Sequence, residues 1–206
     1  MTIRVKICGI TNVDDARLAV EAGADLIGLN FYPPSPRYVS EPTARAICGL
    51  LPPSVWRVGV FVNAPRHQVA ALAERLGLHA VQFHGDETAP DCRGWQQKTI
   101  KALRVGAEPL LPDWSTHPAD YVLLDTYRPG RYGGTGTSFV WSRLAGLPED
   151  QRQRLILAGG LTPENVATAI RTVQPWAVDV ASGVERAPGQ KDADKLRAFI
   201  QYAKTA

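Results

Sequence analysis

Along the chain, short apolar runs rich in valine and isoleucine alternate with stretches whose apolar positions recur at helical spacing. This alternation favours a parallel sheet, because each parallel strand pair needs a long crossover and an amphipathic helix supplies one compactly. The runs predict strands over residues 3–8, 25–30, 56–62, 79–83, 98–103, 120–124, 155–158 and 176–180. Helices are expected from an N-cap at Asn12 to Ala22, from Ser40 onward, and over 65–76, 138–144, 163–170 and 191–202, with shorter helical segments at 88–94 and 108–111. The first unit carries its own signals: Asn12 caps, Asp14 and Asp15 complement the helix dipole in the first turn, and Gly23 ends the helix. Eight such units in 206 residues predict an α/β fold, a single-domain (β/α)₈ TIM barrel over residues 1–206. The rival, an open doubly wound sheet, more often places G-x-G-x-x-G after its first strand, where this chain has Cys8-Gly9-Ile10-Thr11-Asn12-Val13.

Hydrophobic residues at 45% and charged residues at 21% fit a soluble globule with a sizeable core and exclude a disordered or fibrous chain. The formal charge of +3 comes from scattered lysines and arginines rather than a basic stripe, so nucleic acid is not an expected partner. Cys8, Cys48 and Cys92 are odd in number and lack metal-ligand spacing, which suits free thiols in a reducing compartment. The chain enters its first strand without an apolar signal core, and no run approaches the ~18 apolar residues of a membrane span. A cytoplasmic protein with no membrane partner, monomeric or homodimeric, is expected.

In a barrel, chemistry gathers at the carboxyl ends of the strands. Cys8 ends the first strand, and Asp125 follows the apolar run Tyr121-Val122-Leu123-Leu124. A thiol at that place is either a small buried hydrophobe or a nucleophile or base, and as a base it needs nearby positive charge to reach the thiolate. Lys6, one pleat below, could supply it, although an ion pair inside the barrel is the better reading of that lysine. A carboxyl group held protonated at the Asp125 position is a general acid. Asp179, between Val178 and Val180, either orients a substrate hydroxyl or pairs with an interior lysine. Arg37 stands in a long proline-rich loop after the second strand, where a guanidinium can clamp a carboxylate at two points. His84, just past the fourth strand, reads better as a turn cap than as a site residue. Glycine-rich loops follow the last three strands: residues 132–137 with Gly134 and Gly136, then Gly159 and Gly160, then Ser182 and Gly183. Three such loops on one face point to a phosphorylated small-molecule substrate, since glycine lets backbone amides approach an anion.

Several runs, in order and spacing, closely resemble the phosphoribosylanthranilate isomerase family of tryptophan biosynthesis. They include Lys6-Ile7-Cys8-Gly9-Ile10-Thr11, Ser35-Pro36-Arg37-Tyr38, Val81-Gln82-Phe83-His84-Gly85-Asp86-Glu87, Leu157-Ala158-Gly159-Gly160-Leu161 and Asp179-Val180-Ala181-Ser182-Gly183-Val184-Glu185. The resemblance implies a (β/α)₈ barrel with neither cofactor nor metal, catalysing an Amadori rearrangement with Cys8 as general base and Asp125 as general acid. It further implies Arg37 on the anthranilate carboxylate and Asp179 on sugar hydroxyls, with the amides around Gly134, Gly136, Gly159, Gly160, Ser182 and Gly183 on the phosphate. Ala181 departs from the family, which often has serine there. The related barrel isomerase of histidine biosynthesis uses a carboxylate where Cys8 stands. A Schiff-base aldolase would need a reactive lysine, for which Lys101 and Lys6 are the candidates, and a catalytically silent phosphate-binding barrel would have no use for both Cys8 and Asp125.

Overall fold

The computed structural model describes residues 3–105, 114–126 and 138–206. Eight parallel strands close into a barrel in sequence order: β1 (Arg4–Cys8), β2 (Leu26–Asn30), β3 (Trp56–Phe61), β4 (Ala80–Phe83), β5 (Lys98–Val105), β6 (Tyr121–Thr126), β7 (Leu155–Ala158) and β8 (Ala177–Val180). Closure is made by β1, which pairs with β2 on one side and β8 on the other. The predicted strands fall within two residues of these bounds at each end.

Local sequence explains the helices that lie outside this barrel. Helix α1 (Val13–Glu21) is capped by the Asn12 side chain accepting from the Asp15 amide at 2.8 Å. Ser40 caps α2 (Glu41–Leu50), whose Pro42 occupies an early position where no amide is needed. Helix α3 (Arg66–Leu76) stops at Gly77 in the left-handed region. The remaining helices are α4 (Ser138–Leu144), the single turn α5 (Glu149–Arg152), α6 (Val166–Val173) and α7 (Ala193–Lys204).

Three departures from the expected pattern have local causes. The helix expected at 88–94 is only a 3₁₀ turn, Pro90–Cys92. Here Glu87 is drawn inward by the amides of Asn63 and Gly85 and by Lys101, which holds the chain off a helical path. After β8 a 3₁₀ turn, Ser182–Val184, leads into a hairpin of β9 (Glu185–Ala187) and β10 (Gln190–Lys191). Helix α7 therefore starts two residues later than expected, with Asp192 accepting from the amides of Asp194 and Lys195. The segment expected to be helical at 108–111 lies outside the described residues.

Two apolar layers follow from the period of two along each strand. Outward residues such as Ile7, Leu29, Val81, Leu124 and Val178 pack beneath the helices together with Phe199, Ile200 and Leu196 of α7. Inward residues, Leu26, Val58, Ala80, Ile100, Leu123, Ile156 and Ala177, fill the barrel. Its amino-terminal end is floored by aromatics: Tyr121 and Trp176 ring centroids are 4.1 Å apart, Trp56 leans on both, and the Arg4 guanidinium lies 4.8 Å from the Trp176 ring. The filled floor leaves the carboxyl-terminal mouth as the open end.

Phe199 is fully buried in the outer layer. Replacement by alanine leaves a cavity between α7 and the barrel, and chemical denaturation should show a stability loss of about 3–5 kcal/mol with an unchanged denaturant slope.

Candidate active site

The same alternation that fills the barrel decides which side chains reach its mouth. On β1, Lys6 points inward and is wholly buried, and Cys8 lies one pleat higher, partly exposed. Lys6 is the register partner of Asp179 on β8, and their side chains form an ion pair at 2.8 Å. The interior pairing preferred for Lys6, which is one of the two readings of Asp179, is the observed one. Burial alone would lower the proton affinity of Lys6, but the charge of Asp179 and contact with Cys8 more than offset it, so the ammonium is held above its usual range.

Cys8 takes less from this lysine than its position promises. Burial pushes the Cys8 thiol up and outweighs the pull of Lys6, whose charge Asp179 largely cancels. Lys6 is thus spent on the interior ion pair, and the Cys8 thiol is raised rather than lowered from its usual value. Room for the pair comes from β2. Gly28 is the register partner of Cys8, and a Cβ there would stand 2.9 Å from Cys8 Sγ and 3.1 Å from Lys6 Nζ.

Asp125 ends the inward-facing row of β6 above Leu123, and its side chain is 37% exposed. Its neighbour is His84, whose Nε2 lies 3.7 Å from Asp125 Oδ2. The His84 side chain thus faces the mouth rather than capping a turn.

Arg37 is neither solvated nor idle. The loop between β2 and α2 is ordered by Ser35, whose Oγ accepts from Asn30 Nδ2 and the Arg37 amide, and by the Val39 amide donating to the Asn30 carbonyl. Arg37 then crosses over Gly9, where a Cβ would stand 2.5 Å from Arg37 Cδ, to reach Glu185. Its Nε donates to Glu185 Oε1 at 2.9 Å and its Nη2 to Oε2 at 2.6 Å. Lys191, buried, donates to the same carboxylate at 2.9 Å and to the Cys8 carbonyl at 2.7 Å. Burial would push the Glu185 carboxyl up, but the Arg37 hydrogen bonds and the Lys191 charge hold it below the usual carboxylate range. Lys191 itself is lowered, because burial outweighs its one close anion. Neither Glu185 nor Lys191 was assigned a role from sequence; an acid and a lysine six residues apart resemble surface charges until the β9–β10 hairpin folds them inward.

The glycine loops meet at the same end. Gly159 and Gly160 both take positive φ, at 84° and 67°, and Asn165 Nδ2 donates to the Gly160 carbonyl at 2.9 Å. Ser182 and Gly183 lie in the 3₁₀ turn after β8, pressed so close to the loop after β7 that a Cβ on Gly183 would fall 1.9 Å from the Leu161 carbonyl oxygen. Gly134 and Gly136 lie outside the described residues. Lys101 faces out of the barrel, where it pairs with Glu87 at 3.0 Å and donates to the Gly85 carbonyl at 2.7 Å. It cannot form a Schiff base in the interior.

A closed parallel barrel with titratable groups at its carboxyl-terminal mouth and glycine loops after β7 and β8 places the protein among the (β/α)₈-barrel enzymes. A family model described as N-(5′-phosphoribosyl)anthranilate (PRA) isomerase matches residues 5–202. The chain belongs to that family. It is 53% identical over 200 residues to N-(5′-phosphoribosyl)anthranilate isomerase of Pseudomonas fluorescens (strain Pf0-1), covering 96% of this chain and 97% of that one. The crystal structure of phosphoribosyl anthranilate isomerase from Thermotoga maritima superposes with a TM-score of 0.86 at 43% identity, over 99% of this chain and 100% of that one. A second crystal structure, of a phosphoribosyl anthranilate isomerase in complex with reduced 1-(o-carboxyphenylamino)-1-deoxyribulose 5-phosphate, has a TM-score of 0.79 at 40% identity, with coverage of 99% and 100%.

The state of the thiol is directly measurable. Thiolate absorbance, taken as wild type minus Cys8→Ser, should appear only above the ordinary thiol value of about 8.5. The subtraction removes Cys48, raised by burial, and Cys92, pushed up to about 11. A Cys8 transition below neutrality would contradict the burial argument.

Proposed function

We propose that the chain is a single-domain cytoplasmic enzyme that converts N-(5-phosphoribosyl)anthranilate to 1-(2-carboxyphenylamino)-1-deoxyribulose 5-phosphate in tryptophan biosynthesis, by acid–base catalysis without cofactor or metal. The observation that carries this reading is the placement of a thiol on β1 and a carboxyl group on β6 at one mouth, within a chain of this family. Asp125 would give its proton to the furanose ring oxygen as the C1′–O bond breaks. The anthranilate nitrogen then carries the positive charge of a protonated Schiff base, and that charge acidifies the hydrogen on C2′. Cys8, as thiolate, would remove it. The resulting enolamine tautomerises to the ketone.

The remaining residues would bind. Glu185 takes the Nε and Nη2 side of Arg37, which leaves Nη1 for the anthranilate carboxylate. Asp179 has Oδ1 committed to Lys6, and its other oxygen would take a sugar hydroxyl. The amides of Gly159, Gly160, Ser182 and Gly183, with Gly134 and Gly136, would hold the phosphate. Ala181, where the family often has serine, leaves its amide available but supplies no hydroxyl donor.

Loss of anthranilate fluorescence on freshly prepared phosphoribosylanthranilate tests the reaction: wild type should turn over, and Cys8→Ser should lose at least about 100-fold in kcat, as removal of a general base does. A folded wild type without activity would overturn the assignment. Arg37→Ala should raise KM more than it lowers kcat; a large loss of kcat at constant KM would count against a carboxylate-binding role.

A further inference from the structure

His84 completes an inward-facing row on β4. Ala80 lies in the inner core, Gln82 is buried at 1% exposure, and His84 follows at the mouth beside Asp125. The ring is held from below, with Gln82 Nε2 3.0 Å from His84 Nδ1. The amide fixes the tautomer. When the Gln82 nitrogen donates to Nδ1, the imidazole proton resides on Nε2, the atom that faces the Asp125 carboxyl group. Gln82 Oε1 is buried and has no partner among the described residues. Reversing the amide would put two unpaired N–H donors in that place, and buried orphan donors are rarer than under-satisfied carbonyl oxygens, so the Nε2–H form is favoured.

The seat of this histidine is stiff. The His84 amide donates to the Phe61 carbonyl at 2.8 Å, and the next residue, Gly85, donates to Glu87 at 2.8 Å. Lys101 ties Glu87 and the Gly85 carbonyl together from outside the barrel, and the Asn63 amide holds the other Glu87 oxygen at 2.7 Å. None of these contacts involves the mouth. All of them fix where the His84 ring projects.

We propose that His84 is a positioning residue that acts through Asp125: its Nε2–H orients the carboxyl group and stabilises the carboxylate left when Asp125 protonates the ring oxygen. The inference rests on the assignment of Asp125 as the acid. At 3.7 Å the contact is longer than a hydrogen bond, and catalytic contacts of this kind tighten when substrate closes the site. An N–H donor binds a carboxylate more strongly than a carboxylic acid, so the interaction grows as the proton leaves and favours the transition state over the ground state. The balance is simple. The Asp125 O–H bond breaks, the new O–H bond forms on the sugar, and His84 keeps its proton throughout.

Steady-state kinetics on phosphoribosylanthranilate separate this role from binding and from simple support of the fold. His84→Ala should lower kcat about tenfold or more while KM moves less than about twofold, the pattern of a contact made only in the transition state. His84→Gln, whose amide nitrogen reaches the place of Nε2, should recover most of the loss. In an Asp125→Asn background, His84→Ala should cost nothing further, because the two act as a unit. An unchanged kcat in His84→Ala, a rise in KM alone, a Gln variant as impaired as the Ala variant, or full additivity with Asp125→Asn would each overturn the proposal while wild-type turnover stands. A wild type that does not turn over this substrate would overturn the reaction assignment and this inference together.

Discussion

The buried pair of Lys6 and Asp179 is the interaction on which the mouth of this barrel depends. It spans the seam where β1 meets β8, so the contact that closes the cylinder also neutralises the lysine inside it. An unpaired ammonium in that place would carry a desolvation penalty of several kcal/mol, and removal of either partner would leave the other stranded. The pair therefore fixes the register of closure as well as the charge of the interior. Cys8 stands directly above it, in space that Gly28 leaves open; burial raises its thiol, and the Asp179 charge offsets part of the opposing pull of Lys6.

A second ion network works on the other side of Cys8. Arg37, Glu185 and Lys191 join the long loop after β2 to the hairpin after β8, and Lys191 adds a bond to the Cys8 carbonyl. Chain segments almost 150 residues apart are thus locked around the first strand end. Opposite, Glu87 and Lys101 lock the loop after β4 from outside the barrel. The groups that face the mouth, Cys8, Asp125 and His84, lie between these networks. Two cations share one carboxylate in the Arg37–Glu185–Lys191 network, and that surplus positive charge suits an anionic substrate.

The barrel was legible in the chain because its signals are local: apolar runs of strand length, caps such as Asn12 and Ser40, and glycines at strand ends. The site was legible in part. The strand-end places of Cys8 and Asp125 were readable from their runs, and so was an interior ion pair for Lys6, but not which acid would make it. His84 was misread as a turn cap because nothing in Gln82-Phe83-His84-Gly85 reveals that β6 brings Asp125 beside it. The helix expected at 88–94 failed for a similar reason: helical spacing is a local preference, and Glu87 is committed to partners on β5 and in the loop after β3.

The sequence by itself determined the order of strands and helices, the face on which each strand residue lies, and the residue types available for proton transfer. Each of these follows from backbone geometry and burial within a few residues of the position concerned. Only the tertiary structure decided the partners and the proton affinities: that Asp179 cancels Lys6, that Glu185 takes one side of Arg37, and that burial rather than a neighbouring cation sets the state of the Cys8 thiol. Electrostatic energies depend on distances through space and on exclusion of water, and both are properties of the closed barrel rather than of any segment of the chain.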